Sequence, residues 1–234
     1  MDILTFTGTL AAGALGKIIA DFLYPIIHTA GESFKDKVFR MVAQKLKDIS
    51  PEKIVAPEPY VVVPVLQALS YSFNEEHLRD LYASLLVKSM TEDTRWEVHP
   101  SYIEVIKQMS PFDARFFKNF FAKSRSGDMY DIVISKDDKT THHFERYMLT
   151  EDDPFLLSLT LFSLERLGLI YGHNLYQPVL IPEGKKEERR SQIFASGFPQ
   201  KLAGRKLTID DIDVTPLPFG ITYYGELFYK TCCE

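Results

Sequence analysis

The chain has 234 residues, 45% of them hydrophobic and 25% charged, with a formal net charge of −5. That length suits one large domain or two smaller ones, each with its own core, and the acidic balance excludes a global basic field directed at nucleic acid, leaving only a local patch. The two cysteines are the neighbours Cys232 and Cys233; adjacent cysteines rarely bridge each other, so no disulfide framework is expected and a reducing, cytoplasmic compartment fits.

Residues 3–28 are apolar and small almost throughout. On a helix, Gly8, Ala12, Gly16 and Ala20 form one stripe at i, i+4 spacing, the small-xxx-small pattern that lets helices approach backbone to backbone. Lys17 and Asp21 lie on a narrow polar stripe beside it. At about 1.5 Å per residue the segment is long enough for a hydrocarbon core of about 30 Å. Each charge, however, costs about 2.5 to 3.5 kcal/mol at a helix centre, and Pro25 kinks or ends the helix. A permanent span is therefore not expected, nor is a signal peptide, because Asp2 follows Met1 without a basic leader. Two readings stay open: a buried helix of an oligomeric bundle, and a segment that enters the inner membrane only on activation.

Phe34, Val38, Met41, Val42 and Ile49 mark an amphipathic helix with Lys and Asp on its other face. Pro51, Pro57 and Pro59 make 51–59 an extended connector. Residues 61–73 are apolar, with Pro64 placed near a helix start. Asn74 reads as the N-cap of a helix carrying Leu78, Leu81, Tyr82, Leu85, Leu86 and Met90. Pro100 opens another with Tyr102, Ile103, Ile106 and Met109, and His99 reads as capping or packing against its start. Ser110 and Pro111 open the next, rich in phenylalanine.

From there the pattern changes. Residues 129–135 read as a strand and 136–141 as a charged turn. Pro154 starts a helix through Leu157, Leu161 and Leu164 to the C-terminal Gly168. Short strands are expected at 169–171 and 176–181, a long loop or β-wing over 182–206, and one more short element over 221–232. The fold class expected is mainly α: a hydrophobic segment (1–30), a helical domain (31–109) and a winged-helix-like α/β domain (110–234).

A winged helix that reads duplex DNA needs Arg, Lys, Asn or Gln on its recognition helix. Residues 155–166 offer one arginine and mostly apolar bulk, so duplex readout is not expected and an oligomerising or scaffolding use fits better. No phosphate loop, dinucleotide fingerprint, zinc-protease or nucleophile-elbow motif is present. His142 and His143 beside Asp137, Asp138, Asp152 and Asp153 read as solvated loop charges. The expectation is a non-enzyme with no catalytic residue, metal or cofactor. One patch combines cations with rings: Lys185, Lys186, Arg189, Arg190, Lys201, Arg205 and Lys206, with Tyr176, Phe194 and Phe198 among them. Such interleaving can track a phosphate backbone while stacking bases, although Glu183, Glu187 and Glu188 dilute it.

Five phrases carry a family resemblance: SPEKIVAPEPYVVVPVLQAL (50–69), NEEHLRDLYASLLVKSM (74–90), VHPSYIEVIKQMSPFDA (98–114), LERLGLI (164–170) and TYYGELF (222–228). Over about residues 45–230 the chain resembles the abortive-infection alpha family of bacterial phage-defence proteins. The resemblance brings no catalytic residues to carry over. It implies an antiphage effector, as in Hailong-type systems that pair such proteins with a nucleotidyltransferase-like enzyme making oligonucleotide signals. On that reading the body forms a homo-oligomer, a tetramer being the expected number. It binds a short single-stranded oligonucleotide at the basic–aromatic patch and releases the N-terminal helices to disrupt or form channels in the inner membrane. The alternatives are a cytosolic interaction or scaffold protein and a winged-helix transcription regulator.

Overall fold

The computed structural model describes Asp21, Leu23 and residues 31–136, 139–172 and 183–234. These form two units, the described residues up to 118 together with 227–234, and the described residues between 119 and 226. Among the described residues there are nine α-helices and four strands, consistent with a mainly α chain carrying an α/β part.

The first unit is helical. Helix α1 (Glu32–Leu46) buries Val38, Phe39, Val42 and Leu46, one stripe of its 3.6-residue period. After a 3-10 turn at Pro51–Lys53, helix α2 (Pro59–Ser72) begins five residues before Pro64. Pro59 supplies the preset first-turn φ, and Pro64 stands inside the helix, which corrects its expected place near the start. Helix α3 (Glu76–Ser89) has Glu75, not Asn74, at its N-cap position, with no side-chain cap. Helix α4 (Ser101–Lys107) has His99 at its entry, where the ring Nδ1 accepts the Ser101 N–H at 3.1 Å. Helix α5 (Pro111–Phe121) opens on a reciprocal cap. The Asp113 N–H donates to Ser110 Oγ at 3.0 Å and the Ser110 N–H to Asp113 Oδ2 at 2.9 Å. Phe228 meets Tyr102 and Phe117 edge to face, at 5.5 and 5.6 Å between centroids.

The second unit is built on a four-stranded antiparallel sheet in the order β2-β1-β4-β3. Strand β1 (Ser126–Lys136) pairs with β2 (Lys139–Tyr147), so residues expected as a charged turn enter a hairpin. Strand β4 (Ile212–Ile221) lies between β1 and β3 (Ile170–Gly172). It carries Pro216 and Pro218, which are tolerated because β3 pairs only with residues 219–221 of it. Helix α6 (Pro154–Arg166) begins where Asp153 accepts the Leu156 N–H at 2.9 Å and ends before Gly168 at φ 73°.

The span expected as a loop or β-wing is helical where described: α7 (Glu183–Ala195) and α8 (Phe198–Ala203). Both face the sheet, where Ile193, Phe198 and Leu207 join Tyr130, Ile132, Ile134, Ile212 and Val214 in one core. The strand expected at 176–181 lies outside the described residues. The chain ends in helix α9 (Tyr223–Cys232).

Gly225 sits in the first turn of α9 at a forced close approach. A Cβ there would lie 2.1 Å from the Leu169 carbonyl oxygen and 2.8 Å from Ile221 Cγ1. Because the first obstacle is backbone, the site has little room to yield. Gly225→Ala is expected to destabilise the fold by about 1–3 kcal/mol, the usual range for overpacking. Urea denaturation checks this; an unchanged midpoint would mean that the α9 start shifts freely.

Candidate functional site

The structure sorts the basic–aromatic patch of residues 185–206 into two groups. Phe198 is core: it stacks on Tyr147 at 4.9 Å and meets Phe144 at 4.8 Å, with only 6% of its surface exposed. Phe194 is half-buried against the same core. The expected interleaving of rings with surface cations is therefore not formed by these two residues, and Tyr176 lies outside the described residues.

Arg190 serves the fold. Its Nε donates to the Ile212 carbonyl at 2.9 Å and its Nη2 to the Ile209 carbonyl at 2.7 Å, with Glu187 and Asp210 at 3.4 and 3.6 Å. Lys186 pairs with Asp213 at 3.4 Å and Arg189 donates to Gln192 at 2.9 Å. Lys185, Lys201 and Lys206 are exposed, and Arg205 is half-buried with its Nη2 enclosed and unpartnered among the described residues. Helical folding of this segment thus turns part of an apparent ligand patch into internal bracing. The stripe Gly8, Ala12, Gly16 and Ala20, with Lys17, lies outside the described residues, whereas Asp21 is exposed.

A denser cationic feature lies in the first unit. Lys37, Arg40, Lys45 and Lys47 of α1 and its C-cap, with Arg79 of α3, line a cleft of about 510 Å³ together with Met41, Gln44, Phe73 and Asp80. The burial pattern of α1 dictates its side of the cleft. With Val38, Val42 and Leu46 turned inward, positions 37, 40 and 44 face outward.

Phe73, the C-cap of α2, is the pivot. Its ring meets Phe34 edge-on at 5.8 Å, and the Lys37 ammonium and Arg79 guanidinium lie 5.6 and 5.4 Å from its centroid. Arg79 also donates to the Phe73 carbonyl at 3.0 Å, which caps the α2 C-terminus and fixes the guanidinium. Lys45 donates to Ser84 at 3.2 Å. Arg40 is exposed and makes no ion pair among the described residues.

The single carboxylate lining the cleft, Asp80, is engaged by Lys118 at 2.7 Å. Partial burial opposes its ionisation. The Lys118 hydrogen bond, with the charges of Lys118, Lys45 and Arg79, outweighs that burial and holds the carboxyl below its ordinary pKa. Asp80 is therefore ionised and paired at neutral pH, and five cations line the cleft, Lys47 among them standing 4.0 Å from the Asp48 carboxylate, on a chain whose formal charge is −5. The field of such a surface favours an anion over a cation. In sequence this helix is marked only as amphipathic. The spacing of Lys37, Arg40 and Lys47 was visible, but their convergence on Phe73 and Arg79 needed the fold.

Among the described residues no group of three or more His, Cys, Asp or Glu is placed to hold a metal ion. His142 and His143 sit in β2, opposite Ile134 and Val133. Cys232 and Cys233 are free and buried; burial pushes both thiols up, Cys233 to about 12. Such thiols pack rather than react at neutral pH.

The fold is mainly helical with a four-stranded antiparallel sheet, and its first unit carries a cationic cleft. Its lineage is defined by the family comparison: the abortive infection alpha model matches residues 31–232, so the chain belongs to that family. No curated protein and no solved structure matches it significantly.

The division within 185–206 is testable by stability. Arg190→Ala removes two charge-assisted bonds to part-buried backbone carbonyls and is expected to cost about 1.5–3 kcal/mol in urea denaturation. Arg189→Ala is expected to stay within about 0.5 kcal/mol. Equal small effects would return Arg190 to the pool of surface cations.

Proposed function

We propose that this abortive-infection protein is an antiphage effector whose state is set by a short single-stranded oligonucleotide held in the cationic cleft of α1 and the α2–α3 junction. The observation that carries the reading is the convergence of Lys37, Arg40, Lys45, Lys47 and Arg79 around Phe73 on an acidic chain. Phosphate contacts of this kind supply sequence-independent affinity. From Lys37 to Lys47 the cations extend about 15 Å along the helix, so a few nucleotides suffice to engage them. The oligonucleotide comes from a nucleotidyltransferase partner. Its gain or loss releases the apolar segment 3–28 from an assembled state to act on the inner membrane. Among the described residues no helix is long and apolar enough to cross a membrane, so in this account membrane action belongs to residues 3–28.

Fluorescence anisotropy of the full chain with a labelled single-stranded DNA oligomer tests the ligand site. Arg40→Glu/Lys47→Glu is expected to weaken binding at least tenfold. It is also expected to flatten the slope of log affinity against log salt by about 1.4, two phosphate contacts at about 0.7 each. Unchanged affinity and slope in that variant, with loss in Lys185→Glu/Arg189→Glu instead, would move the ligand to α7. No binding to any single strand at low salt would reject the oligonucleotide reading.

A further inference from the structure

Helix α6 is apolar on both sides. Its inner face, Leu157, Leu161 and Leu164, is fully buried in the second unit. Its outer face is Phe155, Leu156, Leu159 and Phe162, which remain 53%, 39%, 65% and 40% exposed. An ordinary surface helix turns charged and polar residues outward, and a helix apolar all round is a buried one. A contiguous apolar patch of this kind marks an interaction surface.

The patch is also held in shape. Arg146 stacks its guanidinium 3.4 Å from the Phe162 centroid, is hydrogen-bonded and ion-paired to Glu165, and has a left-handed backbone at φ 57°. That backbone sits in a bulge where Asp131 Oδ1 accepts the Arg146 N–H at 3.2 Å. A non-glycine residue in this conformation persists only where its surroundings enforce it, and such strain gathers at functional surfaces.

We infer that the outer face of α6 packs against the same face of a second copy of this chain, antiparallel, about a two-fold axis at Leu159. The charges at its ends select this occupant. Glu151, Asp152 and Asp153 lie at the N-terminal end and the exposed Arg166 at the C-terminal end. Leu159 is equidistant in sequence from Asp152 and Arg166, and from Leu156 and Phe162. An antiparallel two-fold pairing therefore sets Asp152 across from Arg166 of the partner subunit and Leu156 across from Phe162 of the partner subunit, twice over, as an isologous contact requires. A parallel pairing would stack acid on acid. A lipid surface is disfavoured because the three carboxylates border the patch and face anionic headgroups unfavourably. The contact is independent of the oligonucleotide reading, since it uses no residue of the cationic cleft.

The test uses the full chain and two readouts. In native mass spectrometry the wild type is expected as an even-numbered assembly. Leu159→Arg is expected to lower its mass twofold with an unchanged circular dichroism spectrum. Asp152→Arg and Arg166→Asp are each expected to weaken assembly at least tenfold, and the two together to restore it; Asp153, the helix cap, is left in place. Independently, Leu159→Cys is expected to form a disulfide-linked dimer on mild oxidation, because the native cysteines are buried. A monomeric wild type, a Leu159→Cys protein that links only within its own chain or not at all, or a double charge exchange that fails to restore assembly would overturn the inference.

Discussion

The cationic cleft depends on one side chain, Phe73. It ends α2, receives Phe34 of α1 edge-on and sits under the Lys37 and Arg79 cations. Arg79 reaches back to the Phe73 carbonyl, so one guanidinium both caps a helix and lines the cleft. Without this ring the cations of α1 would be ordinary solvated lysines and arginines on a polar helix face. With it, four of them and Arg79 of α3 share a concave surface in which the lone carboxylate is paired with Lys118. Family membership over residues 31–232 supplies the defence context, and the cleft supplies the chemistry by which a polyanionic signal would be sensed.

Much of the helical framework was legible before the structure. Where capping chemistry is explicit, the elements begin where the residues direct: Ser110 and Pro111 before α5, Asp153 and Pro154 before α6, and Gly168 after it. Periodicity gave the inward stripes of α1 and α3. The misreadings have physical causes. Pro64 suggested a helix start because interior prolines are costly, yet Pro59 begins α2 a turn and a half earlier. Strand β4 has no clear sequence signature, since Pro216 and Pro218 argue against a paired strand; its short neighbour β3 leaves them an unpaired edge. Helix α7 reads as loop because its sequence is polar nearly all round, with Ile193 the one fully buried residue among its described side chains.

The same distinction separates the two candidate sites. The patch at 185–206 is contiguous in sequence and therefore conspicuous, but the fold commits Arg190 to backbone carbonyls and Phe198 to the core. The cleft joins residues more than thirty positions apart, which no local pattern displays. In α6 the sequence did announce an anomaly, apolar bulk where a DNA-reading helix needs polar groups. The structure gives that bulk a location, with Phe155, Leu156, Leu159 and Phe162 outward beside a strained Arg146.

Lysine footprinting addresses the cleft most directly. The full chain is acylated with and without a short single-stranded DNA oligomer, and modification at each lysine is read by peptide mass spectrometry. The account predicts that the oligomer protects Lys37, Lys45 and Lys47 and leaves Lys185, Lys201 and Lys206 unchanged. Protection of Lys185, Lys201 and Lys206 with full reactivity retained at Lys37, Lys45 and Lys47 would contradict it.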